Sequence, residues 1–149
     1  MKTNRMKRNR RRSGFTLLEI LVVIGIIAVL AAFVVPNLIG ASEQAKKDMT
    51  QSQVKDAGAI ANAINVFRVS VGRYPKELSE LTQKPDDADE AKKWHGPYIT
   101  NAADLKDAWG NEFKYVAPGK VREDSYDLWS VGPDGQDGSD DDITNFTKK

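Results

Sequence analysis

The sequence predicts an α+β protein in which one long N-terminal helix packs on a small antiparallel sheet. Residues 15–35 form an apolar run that contains a single charge. Apolar residues then recur at three- and four-residue steps over 57–71, which indicates a helix with one buried face. Two later segments, 112–116 and 125–132, alternate apolar and polar residues with the period of a half-buried strand.

The apolar run Phe15–Val35 has the length of a transmembrane helix. Its 21 residues cover roughly 30 Å at about 1.5 Å per residue, which matches one hydrocarbon core. Residues 1–14 carry seven basic side chains and no acidic one, so the positive-inside rule predicts a cytoplasmic N-terminus and an exported remainder. A secretory signal peptide is the alternative, because Ala28, Ala31 and Ala32 are small enough for a cleavage site.

Glu19 is the one charge inside the apolar run. A carboxylate in a membrane-spanning helix costs about 2.5 kcal/mol or more toward the bilayer centre, and such residues are usually functional or partnered. No basic residue lies within one helical turn on its C-terminal side. We therefore expect the partner of Glu19 to come from elsewhere.

Residues 15–149 are acidic, although the whole chain has a net charge of +1. Seven of the 22 basic residues lie in 1–14, which leaves 15 basic against 21 acidic residues and a net charge of −6. Nucleic-acid backbones are bound by basic faces, so the composition argues against nucleic acid as a partner. The chain has no cysteine, which excludes disulfides and thiolate metal sites.

The long helix is expected to continue beyond the apolar run. Pro36 and Gly40 predict a kink or softened stretch over 35–41, after which the helix resumes and reaches about Ser70. Gly72 suits a left-handed cap at its end. The predicted core-facing stripe of the second half consists of Ala57, Ile60, Ile64, Phe67 and Val71.

The rest of the chain predicts short elements. Residues 76–81 indicate one amphipathic turn of helix, and residues 85–90 indicate an acidic loop. The two alternating segments predict an antiparallel hairpin, one face of which needs the helix as cover. His95 is the only histidine, and with no nucleophile pattern beside it we expect an exposed or structural residue.

Five aspartates lie between residues 134 and 142, interleaved with glycines. Ca²⁺ takes six to eight oxygen ligands, and glycines allow backbone carbonyls to turn toward the ion, so the composition fits calcium better than zinc. The spacing is not that of an EF-hand, because Gln136 and Gly138 fall at ligand positions and the closing glutamate is absent. A solvated acidic tail is the alternative, and composition alone favours it.

Several motifs give the chain a specific resemblance. The segment Gly14–Glu19, Gly-Phe-Thr-Leu-Leu-Glu, resembles the start of the prepilin-like proteins. Motifs farther along resemble those of one family, the major pseudopilins of the type II secretion system, and the match covers nearly the whole chain. These later motifs are Gly72-Arg73-Tyr74-Pro75, Trp94-His95-Gly96-Pro97-Tyr98, Asp107-Ala108-Trp109-Gly110-Asn111 with Phe113 and Tyr115, and Tyr126-Asp127-Leu128-Trp129-Ser130-Val131-Gly132-Pro133-Asp134-Gly135.

The resemblance implies a pilin-like fold and a processed N-terminus. Prepilin peptidase would cut between Gly14 and Phe15, and the new amine of Phe15 would be methylated. Residues 1–14 would then be a cleaved leader, 15–39 a transmembrane and filament-core helix, and 40–149 a periplasmic domain. Glu19 would pair with the N-terminal amine of a neighbouring subunit.

The resemblance also implies Ca²⁺ in an acidic loop over residues 128–143. The implied ligand set comprises the carbonyl of Leu128, Ser130, a carbonyl at Gln136, and the carboxylates of Asp134, Asp141 and Asp142. This sequence departs from the family at Ala108, where proline is usual, and at Gly138-Ser139, where a glycine pair often follows the Asp-Gly step.

The expected function is that of the major structural subunit of a pseudopilus, which drives export of folded periplasmic proteins across the outer membrane and catalyses no reaction. The expected location is the bacterial inner membrane, with one span, a cytoplasmic N-terminus and a periplasmic C-terminal domain that becomes part of the pseudopilus. Expected partners are copies of itself, prepilin peptidase, the inner-membrane assembly platform and the minor pseudopilins. The alternatives are a type IV pilin or competence pseudopilin, and a membrane-anchored periplasmic calcium-binding module that does not polymerise.

Overall fold

The computed structural model describes residues 15–147. The chain divides after Ala41 into two compact units. The predicted α+β class is confirmed: a long N-terminal helix precedes a small antiparallel sheet. Of the predicted leader and its cleavage site, only Phe15 lies among the described residues.

Helix α1 comprises Leu17–Val54 and continues through Pro36, so the predicted softened stretch does not interrupt it. The helical region extends to Val71, close to the predicted end at about Ser70, but the chain leaves the helix over residues 55–58, an interruption that the prediction of one helix did not include. At Gly58 the backbone is extended, with φ −71° and ψ 164°. A side chain there would place its Cβ 2.3 Å from the carbonyl oxygen of Gln53, so only glycine fits this close approach.

Helix α2 comprises Ala59–Val71 and supplies much of the core. Four members of the predicted stripe, Ile60, Ile64, Phe67 and Val71, are buried. The fifth, Ala57, is exposed because it lies in the interruption before α2. Gly72 ends the helix as predicted, with φ 97° and its N–H donated to the carbonyl of Arg68.

Short elements connect α2 to the sheet. A 3-10 turn at Leu78–Leu81 confirms the predicted helical turn. Residues 85–90, which were predicted as a loop rich in acidic side chains, instead lead into helix α3, Ala88–Lys93. Asp87 caps this helix by accepting the N–H groups of Asp89 and Glu90, each at 3.0 Å, which is the usual role of an N-cap aspartate. A second 3-10 turn follows at Ala102–Leu105.

The sheet has three antiparallel strands in the order β1-β2-β3. They are β1, Lys114–Val116; β2, Asp127–Ser130; and β3, Ile143–Thr144. The predicted hairpin is confirmed as the pairing of β1 with β2, in which Tyr115 faces Leu128. Strand β3 was not predicted; it follows the acidic segment directly and pairs with β2, which is therefore central.

The core lies between α2 and the sheet. Phe67 and Leu128 are both fully buried and belong to one apolar cluster, which confirms the predicted cover of one sheet face by helix. Phe67 packs edge-to-face on Tyr98 with ring centroids 5.7 Å apart. The acidic segment therefore follows the well-packed strand β2 and ends at β3, which pairs with β2.

Candidate functional site: the helix start and the acidic loop

The start of α1 has a hydrogen-bonded cap that involves Glu19. Thr16 donates its N–H and its hydroxyl to the Glu19 carboxylate at 2.8 and 3.0 Å. Glu19 returns its N–H to the Thr16 hydroxyl at 3.2 Å. Because α1 begins at Leu17, this is a capping box with Thr16 as N-cap and Glu19 three residues on. The carboxylate thus has local hydrogen-bond donors that were not predicted, whereas the expected partner from elsewhere stays a prediction.

The helix that follows this cap is apolar on all sides and not buried. The large apolar residues from Phe15 to Ile39 are between 49% and 85% exposed, and Phe33 is 73% exposed. Within residues 15–147, one helical region is long and apolar enough to cross a bilayer. An apolar surface of this extent needs lipid or other protein as its environment.

The acidic loop, defined here as residues 133–142, brings three of its aspartates to one hydroxyl. The Ser139 Oγ lies 3.4 Å from Oδ1 of Asp134 and 3.3 Å from Oδ1 of Asp142. The Ser139 hydroxyl also donates to Oδ1 of Asp141. A hydroxyl has one proton to donate. Three carboxylates therefore gather around a group that can hydrogen bond fully to only one of them.

Backbone amides add further contacts within the acidic loop. The N–H of Asp134 donates to Asp141 Oδ2 at 3.3 Å, and that of Gly138 donates to Asp142 Oδ2 at 2.9 Å. The N–H of Gln136 donates to Asp134 Oδ1 at 2.9 Å. The Ser139 hydroxyl, first among several hydrogen bonds, lowers the pKa of Asp141 below its ordinary value. The backbone of the loop is thus folded around the carboxylates of Asp134, Asp141 and Asp142.

The other predicted ligands have partners elsewhere. Leu128 is buried in β2, and its carbonyl accepts the N–H of Asn145 at 3.0 Å. Ser130 is fully buried and donates its hydroxyl to Asp107 at 2.6 Å. The structure therefore gathers the three predicted carboxylates, with Gln136 next to Asp134, whereas Leu128 and Ser130 have partners of their own.

No formed metal centre is present in the described part of the chain. Among residues 15–147, no group of three or more acidic, histidine or cysteine side chains has the arrangement that would hold a metal ion. The donor chemistry is nevertheless that of a hard-cation site, because carboxylate, hydroxyl and carbonyl oxygens are the ligands that Ca²⁺ takes. The acidic loop fits calcium by donor type.

Four features of these regions were not predicted from the sequence. Ser139 is the common partner of the aspartates, and Asp137 accepts the indole N–H of Trp129 at 2.7 Å. The capping box was readable as Thr-x-x-Glu before an apolar run. The burial of Asp107 and its contact with Ser130 gave no such local signal, because Ser130 is 23 residues away. His95, by contrast, is exposed, as expected.

Comparison with known proteins identifies the family. Residues 37–147 match the family "Type II secretion system (T2SS), protein G". Residues 9–35 match the "Prokaryotic N-terminal methylation motif". The first match alone covers well over half of the chain, and the two together cover residues 9–35 and 37–147.

Individual relatives agree with these matches. The chain is 41% identical to "Type II secretion system core protein G" of Aeromonas hydrophila, over 94% of this chain and 96% of that protein. It is also 41% identical to the protein of the same name from Escherichia coli K12, over 95% of each chain. The crystal structure of the major pseudopilin from the type 2 secretion system of enterohaemorrhagic Escherichia coli matches with a TM-score of 0.58 and 31% identity, over 75% of this chain and 96% of that one. The chain belongs to the type II secretion system protein G family, the major pseudopilins.

Proposed function

We propose that this chain is the major repeating subunit of a type II secretion pseudopilus. It polymerises through its N-terminal helix into a filament that drives folded periplasmic proteins across the outer membrane. The observation that carries this proposal is the apolar, unburied surface of residues 15–39, which suits lipid before assembly and neighbouring helices afterwards. The role is mechanical, and no catalysis is assigned to the chain.

The proposed precursor spans the inner membrane once, with a cytoplasmic N-terminus and a periplasmic C-terminal domain. The seven basic residues of 1–14 support this orientation. Prepilin peptidase cuts between Gly14 and Phe15, and the new amine is methylated. The match of residues 9–35 to the methylation motif supports this processing. The assembly platform and the minor pseudopilins are the further partners we propose.

We propose that Glu19 pairs in the filament with the N-terminal amine of a neighbouring subunit. A charge removed from water is strongly unfavourable unless an opposite charge and hydrogen bonds accompany it. Before assembly the Thr16 cap supplies hydrogen bonds but no charge. The amine of a neighbour supplies the charge, so assembly makes the buried carboxylate favourable.

We propose further that the acidic loop binds Ca²⁺. The carboxylates of Asp134, Asp141 and Asp142 are the main ligands, and their approach to one hydroxyl supports this assignment. Bound calcium would supply a positive charge that offsets the repulsion among them. Oxygens of Leu128 and Gln136 complete the proposed set, whereas the Ser130 hydroxyl, also implied by the resemblance, is donated to Asp107 and accepts the N–H of Gly132.

Two experiments test the processing and assembly parts of the proposal. Incubation of the precursor with prepilin peptidase should remove the first 14 residues, and a product of unchanged length would contradict the processing step. The Glu19→Ala variant should insert in the membrane and be cleaved, yet yield few filaments in sheared-cell fractions. Asp89→Ala, at an exposed acid far along the chain, is the matched control. Wild-type filament yield from Glu19→Ala would rule out the pairing.

Calcium binding is tested on the full chain in detergent micelles. Chelation should lower the melting temperature of the exported domain, and added Ca²⁺ should restore it, because a ligand that binds only the folded state stabilises it. The Asp134→Ala and Asp142→Ala variants should lose this response. A melt of the wild-type chain that does not change with calcium would return the acidic loop to the role of a solvated tail.

A further inference from the structure

Asp107 is a buried carboxylate outside the proposed ligand set. It is only 6% exposed, and each of its oxygens accepts two hydrogen bonds. Oδ1 accepts the N–H groups of Trp109 and Asn111 at 3.0 and 2.8 Å. Oδ2 accepts the Ser130 hydroxyl at 2.6 Å and the Asn111 side-chain amide at 3.3 Å. Oδ1 therefore holds its own turn, whereas Oδ2 reaches across to β2.

The two side chains on Oδ2 both continue to Gly132, where the chain enters the acidic loop. The Ser130 hydroxyl accepts the N–H of Gly132 at 3.0 Å. The Asn111 amide donates to the carbonyl of Gly132 at 2.9 Å. Both backbone polar groups of Gly132 are thus fixed by residues that are themselves bound to Asp107.

Gly132 in turn lies directly against one of the clustered aspartates. Its φ is +66°, and a Cβ on it would lie 2.6 Å from the carbonyl oxygen and 3.0 Å from Oδ2 of Asp141. The same Oδ2 accepts the N–H of Asp134. The backbone position at Gly132 therefore sets where Asp141 and Asp134 meet.

We propose that Asp107 is the positioning residue of the acidic loop, and that the Ser130 hydroxyl serves this connection rather than the ion. The inference rests on the calcium binding proposed above. Like-charged carboxylates repel one another, so bringing them together costs free energy. In a loop that is already held in the binding conformation, less of this cost is subtracted from the free energy of calcium binding. Residues that orient ligands in this way typically change metal affinity by about 10–100-fold when they are replaced.

Asp107→Asn tests this role because it is nearly isosteric. The asparagine oxygen can still accept the two turn amides, but its NH2 group meets the Asn111 amide, which is also a donor. We expect the dissociation constant for Ca²⁺, measured by calorimetric titration of the full chain in micelles, to rise about 10–100-fold. Asp104→Asn, at an exposed aspartate three residues away, should bind as wild type does.

The affinity separates positioning from ordinary fold stabilisation. If Asp107 has a purely structural role, Asp107→Asn will lower the melting temperature in chelator and leave the calcium dissociation constant of the folded protein unchanged. That result would overturn this inference and leave the proposed cation site standing. A wild-type chain that binds no calcium would refute both the proposed cation site and the inference.

A second variant covers the case in which Asp107→Asn does not fold. Ser130→Ala removes a single hydroxyl and leaves the turn at Asp107 intact. We expect the same direction of change, a weaker calcium affinity with unchanged stoichiometry. Wild-type affinity in Ser130→Ala would contradict the connection through Ser130 to Gly132.

Discussion

Asp127 offers the sharpest test of how the hairpin is held. It is 2% exposed and accepts the N–H groups of Lys120, Val121 and Arg122 at 2.7, 2.8 and 3.0 Å. A hydrogen bond to a charged group contributes about 1.5–3 kcal/mol net. Water can reach part of this turn, so the losses will not add fully. We expect Asp127→Ala to lower the free energy of unfolding by about 3 kcal/mol.

The measurement is urea unfolding of the full chain in micelles, followed by tryptophan fluorescence. Asp124→Ala is the matched control, because Asp124 is an exposed acid on the same connection, and it should change the free energy of unfolding by less than about 0.5 kcal/mol. If Asp127→Ala unfolds at the same urea concentration as wild type, the connection between β1 and β2 does not depend on this carboxylate and the reasoning is wrong.

Three further predictions concern the core and its charged surroundings. Phe67→Ala should cost about 3–5 kcal/mol in thermal unfolding, since Phe67 is fully buried, whereas Val69→Ala at an 86% exposed position of the same helix should cost almost nothing. Hydrogen bonds from Arg73 lower the pKa of Glu90 below its ordinary 4.5. The stability that they add is therefore present above that pH and lost in more acidic solution. Glu90→Gln should weaken this acid dependence of the melting temperature between about pH 7 and pH 3. Burial raises the pKa of Tyr126 to about 12 and also raises that of Tyr115, so ultraviolet titration should show two of the four tyrosines ionising well above pH 10, and a single transition of all four near pH 10 would contradict it.

The sequence predicted those elements whose signals are local and periodic. The stripe through Ile60, Ile64 and Phe67 and the alternation in β1 and β2 each follow from residue order alone. The interruption after α1 was missed because the helical composition continues past it. At this interruption a Cβ on Gly58 would lie 2.3 Å from the carbonyl oxygen of Gln53, a contact that no propensity scale contains. Strand β3 was missed because two residues are too few to show a period.

The candidate site likewise contains residues that the sequence predicted and contacts that it did not. Asp134, Asp141 and Asp142 were predicted from their density and from the family resemblance, and the structure brings them together. Asp107 lies in one of the family motifs, but its contact with Ser130, 23 residues later, has no signal in the sequence. Long-range partners of this kind become visible only once the fold brings the segments together.

The capping box at the start of α1 affects how accurately subunits are selected during assembly. Selection depends on the difference in free energy between correct and incorrect arrangements, not on the strength of the correct one. A Glu19 with no partner would strongly penalise a subunit placed out of register. Because Thr16 already donates two hydrogen bonds to it, a misplaced subunit keeps that cap and suffers a smaller penalty. Under the proposed pairing, the cap makes the membrane-bound monomer easier to maintain and at the same time reduces the discrimination against misplaced subunits.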